Sequence, residues 1–411
     1  MKMKKRRQFN WFFAASMAVA AVLLLLPQAG FSAVPTPGTN INAQNVDQYA
    51  DAMPAFMVRM IKDGWGFVDP INIDIQADTP NGPPETYMAA SQKNVAGVSL
   101  SAEGILQGWT NGMPFPDPKE PDLGLKCMWN QYHRWLGDDY TYDPNEGLVS
   151  CSQRKGADVS WGGLNWTRLK FEGRTDIQPV PAMDNPQGLY FAFHMATVGT
   201  GSPTEQLIYR YADPKKADDI WTYVPTLRRT LRMVSSDRSN PIMGSVKTWD
   251  DLFGFDGRVL EFKYEFQRQI KSIGLFNQKK LLNDADVGDH VTHPIFTKEP
   301  WEVKDVFVVK IIPVDPRYPN SHRFIWLPAE HFFPCYQEIF DKKGEFWKGN
   351  MNAFMRIDTK DGQKGNFMNN SCQFDVKTLF WLDSLFATVR VNSGVPKERF
   401  RLGSLGQKFS F

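Results

Sequence analysis

Acidic residues are absent from the first 33 positions, cysteine is absent before Cys127, and no apolar run long enough to cross a bilayer follows Leu26. The first absence exposes an export signal. Lys2, Lys4, Lys5, Arg6 and Arg7 precede the run Trp11–Leu26, which is apolar apart from Ser16 and is closed by Pro27. Cleavage is expected after Ser32 or Ala33. The run falls short of the ~20 apolar residues a spanning helix needs, so an uncleaved anchor is the weaker reading. Arg6-Arg7-Gln8-Phe9 is a partial twin-arginine pattern, with Lys5 where Ser or Thr is usual. Without the signal, 42 basic residues face 45 acidic ones, so the formal charge moves from +2 to −3. A slightly acidic chain is a poor partner for nucleic acid, which rewards a basic surface.

Four cysteines, Cys127, Cys151, Cys335 and Cys372, are an even count for an exported chain. Three pairings are possible. The sequence-local one, Cys127–Cys151 with Cys335–Cys372, closes two moderate loops, each contributing about 3 kcal/mol by chain entropy. No C-x-x-C spacing occurs, which argues against a redox motif or a zinc knuckle.

What remains is rich in aromatics, 13% of the chain. A single domain is expected over 34–411, following a signal over 1–33. Its first part, 34–185, reads as helices joined by Pro-rich connections. The amphipathic stretch Tyr49–Lys62 is one element. Ser101–Trp109 reads as a helix capped by Ser101, and Asp122–Trp135 as another with apolar residues at helical spacing. From 186 onward the period changes to two. Leu189–Met195, 205–211, 219–224, Val259–Gln269, Trp301–Ile312 and His322–Leu327 alternate as strands, and Asp341–Gly344 reads as a hairpin turn. Leu379–Arg390 fits a helix or a strand. No helical pattern alternates with the strands, so the expected class is α+β with mainly antiparallel sheet.

Catalytic signatures are missing. There is no nucleophile elbow, P-loop, dinucleotide glycine motif or metalloprotease helix, and no cofactor is expected. Asp284, Asp286, Asp289, His290 and His293 form the best metal candidate, with a metal-dependent hydrolase as the function it would support; a polar connecting loop is the favoured reading. His133, His194, His322 and His331 are scattered. Asp250, Asp251 and Asp341 sit at turn signals, where Asp serves the backbone. Arg228 and Arg232 share one face of an extended segment and form a candidate anion contact, with Arg229 on the other face.

Several stretches resemble the domain-of-unknown-function 1329 family (DUF1329). They are Gly112–Pro118 (GMPFPDP) with Asp122–Asn130 (DLGLKCMWN), Ile220–Arg229 (IWTYVPTLRR), Asp250–Gly257 (DDLFGFDG), and the strand-and-hairpin run Trp301–Lys348. The resemblance covers most of residues 40–390. It implies a large relative of the Lol-type lipoprotein carriers, LolA and LolB. The expected architecture is then a half-open, incomplete antiparallel β-barrel with helices packed on or plugging its concave face. It also implies a periplasmic protein, peripheral to the outer membrane, serving an outer-membrane protein or a resistance-nodulation-division exporter. No catalytic residue is established for such a family. The function expected is non-enzymatic carriage of a hydrophobic, lipid-like ligand or a lipoprotein, with a structural adaptor for an outer-membrane protein as the alternative. Trp221, Tyr223, Leu260, Phe262, Phe266, Phe307 and Val309 are the expected cavity lining, because a curved sheet with an aromatic face must be filled or must hold something apolar.

Overall fold

The computed structural model describes residues 33–142, 147–153, 160–198, 204–233, 238–242, 245–278, 299–386 and 389–406. Residues 1–32 of the expected signal and the candidate metal segment 284–293 lie outside them.

Two short antiparallel pairs come first, β1 (Asn40–Ile41) with β2 (Ile73–Asp74) and β3 (Ser99–Leu100) with β4 (Leu106–Gln107). Among them lie α1 (Ala55–Asp63) and α2 (Glu85–Asn94), and α3 (Leu123–Tyr132) follows. The main sheet is built from β5 (Asp139–Tyr142), β6 (Gly147–Gln153), β7 (Ser160–Lys170), β8 (Leu189–Val198), β9 (Glu205–Tyr211), β10 (Asp219–Val224) and β11 (Arg229–Met233). It continues through β12 (Phe262–Gly274), β13 (Glu302–Pro313), β14 (His322–Pro328), β15 (Tyr336–Phe340), β16 (Phe346–Asp358), β17 (Lys364–Asp375), β18 (Phe380–Phe386) and β19 (Val389–Val391). Neighbours run antiparallel in the order β11-β10-β9-β8-β7-β6-β18-β17-β16-β15-β14-β13-β12, with β5 joining β7 to β19 beside this path.

This order corrects the expected half-open barrel. The α+β, mainly antiparallel class stands, but the sheet is open and is not closed or curled into a barrel. Its ends, β11 and β12, do not pair with each other. Both ends carry charge instead. Lys263, Glu265, Arg268 and Lys271 are exposed along β12, and Arg229 and Arg232 along β11. Charged edges oppose strand addition, including addition of the sheet's own far edge.

Apolar spacing decides how the helices sit. On α1, Phe56, Met57, Met60 and Ile61 are buried, and Phe56 meets the rings of Tyr336 and Phe374 at 5.9 and 5.2 Å. The helix ends at Gly64, whose φ of 64° lets its N–H reach the Met60 carbonyl. Helix α3 rests directly on β12. A Cβ at Gly124 would sit 2.8 Å from the Phe266 backbone nitrogen, so only glycine permits that approach.

Residues Ser101–Trp109 are not a helix. Ser101 Oγ accepts from the backbone N–H of Glu103 and Ile105, and Gly104 and Gly108 have φ of 76° and 69°. Left-handed Gly104 closes the turn between β3 and β4, and left-handed Gly108 redirects the chain just after β4, where a helix would need right-handed backbone. Of the Leu379–Arg390 segment, Phe380–Phe386 is a strand and its last two residues open the strand Val389–Val391.

The disulfides are also corrected. Cys127, Cys335 and Cys372 are free thiols buried in the core, which removes both expected pairs. Burial pushes the Cys127 thiol up to about 12, so it behaves as a small apolar group. Dithiothreitol is therefore expected to leave the thermal midpoint within about 1 °C of its value without reductant; a fall of several degrees would reveal a bridge.

Candidate functional site

The DDLFGFDG segment organises the centre of the molecule. Asp251 caps its start, its carboxylate accepting from the Thr248 N–H at 2.9 Å while its own N–H donates to the Thr248 carbonyl at 3.0 Å. Phe253 and Gly254, with φ of 49° and 78°, then turn the chain back. The result buries three carboxylates, Asp250 and Asp251 fully and Asp256 largely.

Buried carboxylates need partners. Arg238 contacts Asp250 at 2.8 Å, Asp218 at 2.9 Å and Asp256 at 3.3 Å. Arg210 on β9 contacts Asp218 at 2.9 Å and Asp256 at 3.1 Å. The Tyr318 hydroxyl donates to Asp250 at 2.7 Å and receives Arg323 at 3.2 Å. Arg323 on β14 closes the chain on Asp251 at 2.9 Å and on Gln337 at 2.7 Å. Burial alone would raise the Asp218 pKa, but Arg210 and Arg238 outweigh it and hold the carboxyl below its ordinary range. Asp251 is held down in the same way, chiefly by Arg323.

A cavity lies on each side of this network. The larger is a surface cleft of about 440 Å³. Val246, Ile339, Trp347 and Phe380 give it apolar walls, and Asn320 and Arg323 line it too. Arg323 Nε and Asn320 Nδ2 are buried and have no acceptor. The Asn320 amide orientation is fixed, because its Oδ1 accepts from Arg323 at 3.2 Å. Lys348 lies 4.4 Å from the Trp347 ring and donates to the Val246 carbonyl at 2.8 Å. The smaller cavity, about 20 Å³, lies among Arg134, Arg168, Arg210 and Asp256 with apolar side chains between them.

None of the seven expected lining residues borders either cavity. Phe262, Phe307 and Val309 belong to the main core, where Phe262 meets Phe255 at 5.2 Å and Phe307 stacks on Phe332 at 5.6 Å. Phe266 packs against the same core beside α3, and Leu260 is half-buried in the turn before β12. Trp221 packs on Tyr209 at 4.9 Å in a separate small cluster, and half-buried Tyr223 lies under Gly406. Arg228 is exposed at the β10–β11 turn with φ of 49°, and Arg232 is exposed and paired with Asp219. Asp341 serves its turn, accepting from Lys343 and Glu345 N–H at 2.9 Å each. Among the described residues no group of His, Cys, Asp and Glu could hold a metal ion.

The family described as a protein of unknown function, DUF1329, matches residues 40–384. No curated protein matches the sequence. Three solved structures are similar in part. A DUF1329 family protein from Desulfovibrio piger is 13% identical over 69% of this chain and 96% of its own, with a TM-score of 0.48. A domain named for outer membrane lipoprotein sorting, from Vibrio parahaemolyticus, is 18% identical over 68% and 97%, also with a TM-score of 0.48. A LolA superfamily protein from Nitrosomonas europaea is 11% identical over 69% and 99%, with a TM-score of 0.40.

Proposed function

The chain belongs to the DUF1329 family, and on that footing we propose that it is a non-enzymatic periplasmic carrier for an amphiphile with an anionic or acceptor head group. The observation that carries this reading is the pair of buried, unpaired donors, Arg323 Nε and Asn320 Nδ2, on the wall of a cleft that sets the apolar Val246, Ile339, Trp347 and Phe380 beside the polar Thr248, Asp251, Lys348 and Asp375. Native structures rarely leave buried donors without acceptors, and a head group would supply them. The cleft volume falls within the range of small-molecule sites. Burying six methylenes of a chain there would contribute about 5 kcal/mol, enough for reversible carriage. The basic, acid-free leader supports export to the periplasm. An outer-membrane protein or a resistance-nodulation-division exporter is the partner such a carrier would serve.

Calorimetric titration with lauric acid and with dodecanol tests the proposal. Lauric acid is expected to saturate one site and to bind at least about tenfold tighter than dodecanol, the ratio a charged hydrogen bond supplies. Phe380→Asp, which places charge on the cleft wall, should weaken lauric acid at least about tenfold and leave the thermal midpoint unchanged. Absence of saturable uptake, or uptake indifferent to Phe380→Asp, would overturn it.

A further inference from the structure

The small cavity poses a separate problem of charge. Arg134, Arg168 and Arg210 are 4%, 6% and 2% exposed. Arg210 is matched by Asp218 and Asp256. The other two have no carboxylate at ion-pair distance among the described residues. Arg134 donates to the Gln131 carbonyl at 2.7 Å and lies over the Phe333 ring at 4.7 Å, and its buried Nε has no acceptor. Arg168 lies over the Phe191 ring at 4.1 Å. Asp256 is the one acid bordering the cavity, and Arg210 and Arg238 already hold it. Four guanidiniums, those of Arg134, Arg168, Arg210 and Arg238, therefore face three carboxylates, those of Asp218, Asp250 and Asp256. Among the described residues of this group one positive charge is left unmatched, and an uncompensated buried ion is strongly disfavoured.

We propose that the cavity among Arg134, Arg168 and Arg210 is a binding site for a compact monovalent anion of halide size. The surplus fixes the charge, since one negative ion balances it. The volume fixes the size, because about 20 Å³ holds a single water-sized particle. A water there would satisfy the Arg134 Nε but not the charge. Of the remaining walls, Leu136, Ile208 and Phe253 are apolar, and the Tyr132 hydroxyl is neutral and supplies no compensating charge. The site is distinct from the cleft and does not depend on the carrier reading.

The test uses the exported chain at constant ionic strength, with sodium gluconate exchanged for sodium bromide, chloride or phosphate. Bromide and chloride are expected to raise the thermal midpoint saturably by about 2–4 °C over gluconate, while phosphate does not. Arg168→Gln removes the surplus charge, so it should abolish the halide effect and be at least as stable as the wild type in gluconate. Bromide soaked into wild-type crystals should give an anomalous peak touching both Arg134 and Arg168, a readout that survives if the variant fails to fold. Equal midpoints in bromide and gluconate, the same halide effect in Arg168→Gln, stabilisation by phosphate alone, or no bromide peak at this cavity would each overturn the proposal.

Discussion

Asp218→Ala is expected to remove about 3–5 kcal/mol of stability, read from urea or thermal unfolding, because it strips one carboxylate from two buried guanidiniums. Asp218 is fully buried and touches Arg210 and Arg238, each at 2.9 Å. Either arginine retains other partners, yet the charge count around them worsens by one. Asp218→Asn keeps the shape and loses the charge, and should fall nearly as far. The partner substitution separates packing from electrostatics. If the loss comes from the orphaned charge, Asp218→Leu combined with Arg238→Met will be less damaging than the two singles added together, with a coupling above about 1 kcal/mol. A loss under about 1 kcal/mol for Asp218→Ala, or strict additivity in the double variant, would mean that water reaches the network and screens it.

This network was the part of the site hardest to read in the sequence. Its members come from β9, the turn before β10, the segment before β12, and β14, and no local spacing links them. One signal was present. In His322–Pro328 the alternation puts Arg323 in phase with Ile325 and Leu327, and both of those are fully buried. A charged residue on the apolar phase of a strand announces a buried partner. Asp250 and Asp251 were legible as turn residues, and Asp251 does cap Thr248. Their second role, as counter-ions, depends on arginines that only the fold brings near. The strands themselves were plain. Phe262, Tyr264 and Phe266 alternate with exposed Lys263, Glu265 and Gln267, and Gly344 takes its turn at φ of 80°. What period two cannot tell is which apolar face is covered. Phe262, Phe266 and Phe307 pack against α3 or neighbouring rings, and helix contact and cavity lining demand the same side chains. The helix at Ser101–Trp109 failed for a different reason. The capping serine and the favourable charge were local signals, and two glycines outweighed them.

Two buried histidines are each expected to contribute a loss of stability as the pH drops from 7.5 to 5.5. His331 is pushed down to about 3 by burial, with Lys304 adding to the effect. His133 is also driven well below its ordinary value, by burial first and then by Lys170 and Arg168. Both are neutral in the folded chain near pH 6, while an unfolded histidine gains a proton below about 6.5. The unfolded state then binds more protons, so lowering the pH favours it. Each histidine should therefore cost about 1.4 kcal/mol between pH 7.5 and 5.5. The depressed carboxyls of Asp218 and Asp251 add their losses only below about pH 4, where unfolded aspartates protonate. Glu338 and Asp383, whose burial raises their pKa, act with the opposite sign and gain stability as they protonate. His331→Asn isolates one histidine from these terms. His331 Nδ1 accepts the Phe333 N–H at 3.0 Å, and an asparagine Oδ1 can take that bond without titrating. Urea unfolding at each pH should show the variant losing about 1.4 kcal/mol less than the wild type over this range. Parallel curves for the two proteins would mean that His331 takes up its proton in the folded state, and the buried, neutral imidazole beside Phe354 would have to be abandoned.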